Sequence, residues 1–206
     1  MHTRSSTIHA HPSFIDEGIK HARDVVMPVF ADMAGCVGLS MLVDRDGGCC
    51  IITSSWRDDE AMRASEDAAD RLRDQAIGIF RATAEVSRWE LAALRRDHRS
   101  QRRAAVRATW LRCEPAALDR MIDAYKLALL PAFHELGGFC SASLMVDRAA
   151  GSAVSSVSFD DWAAMLGSRA DEQAIWAGGA GELGVRVLDV GEFDLAIAQL
   201  SAPELV

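Results

Sequence analysis

The strongest constraint on this chain is that it carries one pattern twice. Gly35 to Ser65 reads as a strand, a tight turn at Asp44–Gly48, a second strand ending at Trp56 and a helix opening near Asp58. The same pattern returns at Gly138 to Ser168, 103 residues further on. Leu-Val-Asp-Arg-Asp-Gly-Gly becomes Met-Val-Asp-Arg-Ala-Ala-Gly, and Ser-Trp-Arg-Asp-Asp-Glu-Ala-Met becomes Ser-Phe-Asp-Asp-Trp-Ala-Ala-Met. Upstream, Ile15, Ile19, Ala22, Val26, Val29, Phe30 and Met33 form one helical stripe. Its copy is Leu118, Ile122, Tyr125, Leu129, Ala132, Phe133 and Leu136, with Pro131 standing for Pro28 (131 − 28 = 103). One inserted residue near the end makes Phe193 the partner of Trp89.

Each half reads strand, helix, strand, strand, helix, strand, the split βαβ or ferredoxin-like order. In the first half the strands are Thr7–His11, the two arms of the hairpin, and Thr83–Leu91. In the second the outer strands are Thr109–Glu114 and Val185–Phe193. Pro28 inside the first stripe predicts a kink or split. Two helices on one face of a four-stranded sheet leave the other face bare. Period-two alternation puts Val37, Leu39, Met41 and Val43 together, with Cys140, Ala142, Leu144 and Val146 as repeat partners, and assigns them to that bare face. Two such faces can bury each other. The expected fold is therefore α+β, two ferredoxin-like repeats forming an intramolecular pseudo-dimeric barrel. Residues 1–95 make the first repeat, 96–106 a basic linker and 107–206 the second repeat.

Half of the residues are hydrophobic, enough for a real core. No run is apolar enough to span a bilayer, and Met1 to Thr7 lacks the apolar core of a signal peptide, so a cytoplasmic protein without membrane contact is expected. The five cysteines then read as thiols. A net charge of −8 argues against nucleic acid as partner. The basic run from Arg95 to Arg107 lacks interleaved aromatics and reads as a solvated connector.

The Gly-Cys-Val-Gly-Leu that ends helix one, the hairpin, and Trp56 followed by Asp-Asp-Glu-Ala resemble antibiotic biosynthesis monooxygenase domains, members of the dimeric α+β barrel superfamily. The resemblance covers both halves. It implies a small aromatic molecule as ligand, held between sheet and helices, and either a binder with little or no catalysis or a monooxygenase of quinol-like or polyphenolic substrates that needs no cofactor. It also implies a single chain acting as a pseudo-dimer, or a homodimer. The haem-degrading branch of the family uses an Asn on strand one and a Trp and a His on helix two. Thr7, Ser65 and Asp74 stand there in the first half, and Trp110, Ser168 and Ala177 in the second, so that triad is absent.

On strand one, Thr7, His9 and His11 share a face, matched by Trp110, Arg112 and Glu114 in the repeat. Assigning that face to the cavity turns Ile8 and Ala10 toward the barrel. His9 is then the candidate general base, because a neutral imidazole suits proton abstraction near pH 7. Arg112 is the candidate anion holder. Thr7, His11, Trp56, Trp110, Arg112 and Trp176 are the candidate substrate contacts. His9-x-His11 could pair on a metal, but no third ligand lies nearby in sequence and no metal site or cofactor is expected. Trp56 and Phe159 read as core anchors, His21 and His134 as surface residues, and Gly178 to Gly181 as a helix-to-strand connection. The two cavities should differ, with Trp110 and Trp176 filling the second.

Overall fold

The computed structural model describes residues 1–101, 103–180, 184–200 and 204–205. The first repeat contains β1 (His2–His9), α1 (Ile15–His21), α2 (Met27–Ala31), β2 (Cys36–Asp44), β3 (Cys49–Trp56), α3 (Asp59–Ala64), α4 (Glu66–Phe80) and β4 (Thr83–Arg96). The second contains β5 (Ala105–Arg112), α5 (Leu118–Ala124), α6 (Leu130–His134), β6 (Phe139–Asp147), β7 (Ser152–Phe159), α7 (Trp162–Gly167), α8 (Arg169–Ala180) and β8 (Arg186–Leu200). Hydrogen bonding follows the order β1-β3-β2-β8-β5-β7-β6-β4 and closes, giving the expected α+β barrel of two ferredoxin-like repeats.

The chain divides into two compact units, and the division crosses the last strand of each repeat. The first unit holds Met1–Trp89 and takes β8 from Asp194, whose residues pair with β2. The second holds Glu90–Phe193, so the far part of β4 pairs with β6 inside it. Strand β4 continues to Arg96 and β5 starts at Ala105. Arg107 is thus not part of a solvated connector; it is a buried residue of β5.

Proline does not break the first helical stretch, because the helix widens just before it. Residues Ala22–Val26 form a π-turn, and the Met27 N–H bonds the Ala22 carbonyl five residues back. The wider turn makes room for the Pro28 ring, which has no N–H to offer. The second repeat does the same at Tyr125–Leu129, ahead of Pro131. The second helix, by contrast, is split. Ser65 ends α3 and begins α4, and Ser168 stands between α7 and α8.

The sheet faces are the reverse of the sequence assignment. Leu39, Met41 and Val43 are buried in one cluster with Ile15, Ile19, Val26 and Phe30 of the helices. Ala142, Leu144 and Val146 join the helix residues of the second unit likewise. These side chains cover the helices, and Ile8 goes with them. Alternation fixes which residues share a face but not which face carries the helices.

Two glycines tie the hairpin turns to the ends of β1 and β5. Gly48 has φ +69°, its carbonyl accepts from the Ala10 N–H at 2.9 Å, and a Cβ there would lie 2.1 Å from the Ala10 carbonyl oxygen. Gly151 repeats this against Cys113, with φ +63° and 2.3 Å. Left-handed backbone costs an L-residue about 1–2 kcal/mol before any clash. Gly48→Ala and Gly151→Ala should each lower unfolding free energy by more than about 2 kcal/mol in urea titration. A change within about 0.5 kcal/mol of wild type would contradict the close approach.

Candidate functional site

In both units one arginine of the first strand lies under the helices. Arg4 and Arg107 occupy equivalent positions and are 3% and 4% exposed. The reason is the helix break. Where α3 stops, its last carbonyls lose the regular helical pairing, and the Met62 carbonyl accepts from Ser65 Oγ at 2.6 Å. Arg4 donates from Nη2 to the Met62 carbonyl at 2.6 Å and from Nη1 to Ser65 Oγ at 2.8 Å. Arg107 donates from Nη2 to the Met165 carbonyl at 2.7 Å. A cation at a helix C-terminus also complements the helix dipole.

The two units then neutralise this buried cation differently. Arg107 donates from Nη1 to Glu172 Oε2 at 2.5 Å and from Nε and Nη2 to Glu192 Oε1 at 3.0 and 2.9 Å. Glu192 is also held by Arg169, at 2.7 Å. Burial pushes the Glu172 carboxyl up, while Arg107 pulls against it. In the first unit Ala69 stands where Glu172 does, and the outer pair is reversed in sign: Arg88 bonds Glu66 in place of Glu192 with Arg169. No carboxylate therefore bonds Arg4, and its Nε has no hydrogen-bond partner among the described residues. Burial lowers the Arg4 pKa, with Glu66 opposing and Arg88 reinforcing that shift.

Beside Arg4 lies a cavity of about 60 Å³ between the first sheet and its helices. That is several times the ~10–15 Å³ a water requires. Its wall is apolar, with Ile8, Phe14, Val26, Phe30, Met41 and Phe80. The polar exceptions include Arg4, His21 and Arg73. His21 stacks edge-on against Phe80 at 5.8 Å, and its Nε2 is buried with no partner among the described residues. Arg73 is engaged by Asp70 at 2.6 Å. Cys50 also lines the cavity, but burial pushes its thiol up to about 12, so it stays protonated at neutral pH.

Substitution fills the same space in the second unit. Gly18, Ala22, Ala69 and Arg73 are replaced by Met121, Tyr125, Glu172 and Trp176. Tyr125 is 1% exposed and packs against Phe133 and Trp176 at 6.0 and 6.3 Å. Its hydroxyl donates to the Ser143 carbonyl at 3.1 Å and lies 2.9 Å from Ser155 Oγ. What remains is a polar recess of about 370 Å³ walled by Arg107, Arg169, Glu172 and Glu192, whose charges pair with one another.

The strand-one candidates read from sequence are not in the cavity. Thr7 is half-buried, His9 and His11 are exposed, and His11 caps the following turn through Ser13. Ile8 and Ala10 line the cavity instead, because β1 presents its even-numbered residues to the helices. Arg112 is exposed for the same reason, so it is not placed to hold an anion in either cavity. Trp110 stacks on Phe193 at 6.4 Å and fills nothing among the helices. Trp56 is fully buried against Phe30, with Nε1 donating to Ser54 Oγ at 3.1 Å, which makes it a core residue. Trp176 does fill the second cavity. His21, read as a surface residue, is the imidazole in the first cavity, and Arg4 lay outside the strand drawn from sequence. The 103-residue offset between Arg4 and Arg107 was a signal that could have found that arginine. The Gly178–Gly181 connection runs into residues outside those described; α8 extends to Ala180.

A closed eight-stranded α+β barrel with a cavity between sheet and helices defines a protein of the dimeric α+β barrel class, here made from one chain. The antibiotic biosynthesis monooxygenase model matches residues 1–74, so the first repeat carries a domain similar to this family. It is 48% identical over 206 residues to the uncharacterized protein Rv2557 of Mycobacterium tuberculosis, covering all of this chain and 92% of that one. It is 49% identical over 207 residues to the uncharacterized protein Rv2558 of the same organism, covering all of this chain and 88% of that one. Among solved structures, a candidate monooxygenase from Lactobacillus acidophilus superposes with a TM-score of 0.71 at 10% identity, over 97% of this chain and 96% of that one. An anthrone oxidase-like protein gives 0.60 at 15% identity, over 98% and 96%. At these identities the solved structures support the fold. Among the described residues, no helix is long and apolar enough to cross a membrane.

The unequal treatment of the two arginines has a stability consequence. Arg107→Met strands the buried Glu172 carboxylate and should cost about 3–5 kcal/mol. Arg107→Met with Glu172→Met should recover most of that loss. Arg4→Met removes donors but strands no bonded acid, and should cost about 1–3 kcal/mol. Urea unfolding of the three variants checks the order, and equal losses for Arg4→Met and Arg107→Met would contradict it.

Proposed function

We propose that the first repeat binds a small aromatic molecule bearing an acidic oxygen, with the ring in the apolar cavity and the oxygen at Arg4. The observation that carries this reading is the buried, uncompensated guanidinium beside an apolar space, where the second repeat supplies Glu172. Phe14, Phe30 and Phe80 suit a ring. Loss of solvent strengthens an ion pair formed at Arg4. The second repeat, with its core filled and its arginine paired, keeps the fold and binds no such ligand.

A finer reading is favoured by His21. Its unpartnered Nε2 lies in the same cavity as Arg4 and is a base for a phenolic hydroxyl. A quinol so deprotonated can itself reduce dioxygen. Quinol plus O₂ gives hydroxyquinone plus water, one oxygen atom passing to each, with all four electrons coming from the substrate. His21 takes the place first given to His9, and Arg4 the place first given to Arg112.

Fluorescence titration with phenol and 1-naphthol tests binding. Ala69→Glu gives the first repeat the acid of the second and should weaken binding at least tenfold. Gly18→Met fills the cavity as Met121 does; no atom lies within 4 Å of a Cβ built at Gly18. It should abolish binding while raising stability by about 0.5–1 kcal/mol, since a helical glycine is replaced. His9→Ala should change nothing. Unaltered affinity in both Ala69→Glu and Gly18→Met would place the ligand elsewhere. Oxygen uptake with a quinol panel then tests the chemistry. A rate that His21→Phe leaves unchanged, or no uptake at all, removes the oxidation reading while the binding result stands.

A further inference from the structure

We propose that His98, Cys140 and Asp160 of the second unit form a zinc(II) site. The three contribute Nε2, Sγ and a carboxylate oxygen, all within 4.8 Å of one another. His98 Nε2 lies 2.9 Å from Asp160 Oδ1, and Cys140 Sγ lies 3.4 Å from the same oxygen. A nitrogen, a thiol sulfur and one carboxylate suit zinc, which takes such ligands in tetrahedral sets. Three protein ligands leave the fourth position to water. His98 and Asp160 side chains are 38% and 42% exposed, so an ion can enter from solvent.

The backbone fixes the three ligands. Asp97 N–H donates to the Cys140 carbonyl at 2.8 Å and His98 N–H to the same carbonyl at 3.4 Å. The Asp160 N–H donates to the Gly138 carbonyl at 2.8 Å. The loop after β4, the start of β6 and the end of β7 are thereby clamped together.

The partners behind the ligands match what a metal-bound histidine needs. His98 Nδ1 faces Asp97 Oδ2 at 2.9 Å, which sets Nδ1 as the donor and turns Nε2 toward the other two ligands. Asp97 is held in turn by His134 Nε2 at 3.2 Å, and the His134 ring rests edge-on against Phe139 at 5.6 Å. Without metal, His98 sits between the Asp97 and Asp160 carboxylates, at 2.9 Å from each. Zinc needs Nε2 unprotonated and Cys140 as thiolate, so its uptake releases the thiol proton. In the first repeat Val37, Arg57 and Ala31 stand at the places of Cys140, Asp160 and His134, so the site is a property of the second unit alone. It is separate from the cavity of the first and independent of the ligand proposed there.

The whole chain, stripped with chelator, is titrated with zinc(II) against a chromophoric competitor and with cobalt(II) by absorption. One equivalent should bind, and cobalt should show thiolate charge transfer with intense tetrahedral d–d bands. Cys140→Ser should remove the charge-transfer band. His98→Gln and Asp160→Asn should each weaken zinc binding at least tenfold, and Asp97→Asn about 10–100-fold through the orientation of His98. Cys36→Ser, on an unrelated thiol, should behave as wild type. Failure of the wild-type chain to bind one equivalent, or absence of the thiolate band in its cobalt form, overturns the proposal whatever the variants do. Retention of the band in folded Cys140→Ser overturns it too.

Discussion

The buried arginine of the first strand is the constraint on which both repeats are built. Each second helix is broken at a serine, and the break exposes carbonyls to the interior. Arg4 and Arg107 answer those carbonyls from the facing strand. Having placed a full charge under a helix layer, each unit has to accommodate it. The second unit does so with Glu172 and Glu192, and Arg169 holds Glu192 in place. The first reverses the outer pair to Arg88 with Glu66 and substitutes Ala69 for the inner acid, which leaves one guanidinium N–H unanswered. An unsatisfied buried donor costs about 1–3 kcal/mol. A fold can carry that cost where a ligand, when present, removes it.

Packing tells the same story with volumes. Gly18 and Ala22 in the first repeat face the space that Met121 and Tyr125 fill in the second. Interiors are packed close to crystal density, so an apolar hollow weakens the unit that keeps it. A homodimer would have to carry that weakness twice, because symmetry repeats every side chain. A fused pair need not. The last strand of each repeat also crosses into the other unit, β4 to pair with β6 and β8 to pair with β2. Each unit thus takes a strand segment from the other repeat.

Much of the fold was legible in the sequence, and the site was not. The 103-residue offset fixed the duplication, the strand and helix order, and the asymmetry between the cavities, since Trp176 was visible as an unmatched aromatic. Pro28 was read as a kink or split because a π-turn leaves no local signature; the compensation lies in one wider turn, closed by the Met27 N–H on the Ala22 carbonyl. The cavity residues on strand one were displaced by one position. Thr7, His9 and His11 do share a face, but period two cannot say which face meets the helices. That single parity took His9 and Arg112 out of the cavities, whereas His21 was read as a surface residue of the helix and Arg4 lay outside the strand drawn from sequence. The cluster at His98, Cys140 and Asp160 was invisible to spacing rules because its members come from a loop and two strand ends far apart in sequence.

The pairing of Arg4 with His21 bears on which acids suit the first cavity. A carboxylate is ionised in water near pH 7 and must shed its hydration before reaching Arg4, a cost that the contact has to recover. A phenol enters neutral. It can give its proton to an imidazole inside the cavity and become an anion only where the guanidinium already waits. Charge then appears in a low-dielectric space facing a fixed cation, where the attraction is strongest. On the proposed reading, the combination of an apolar wall, one orphaned cationic N–H and one unpartnered imidazole nitrogen therefore selects phenols over stronger acids. It also accounts for a first repeat that keeps both groups unpaired while the second, with Ala124 in place of His21 and Glu172 against its arginine, keeps neither.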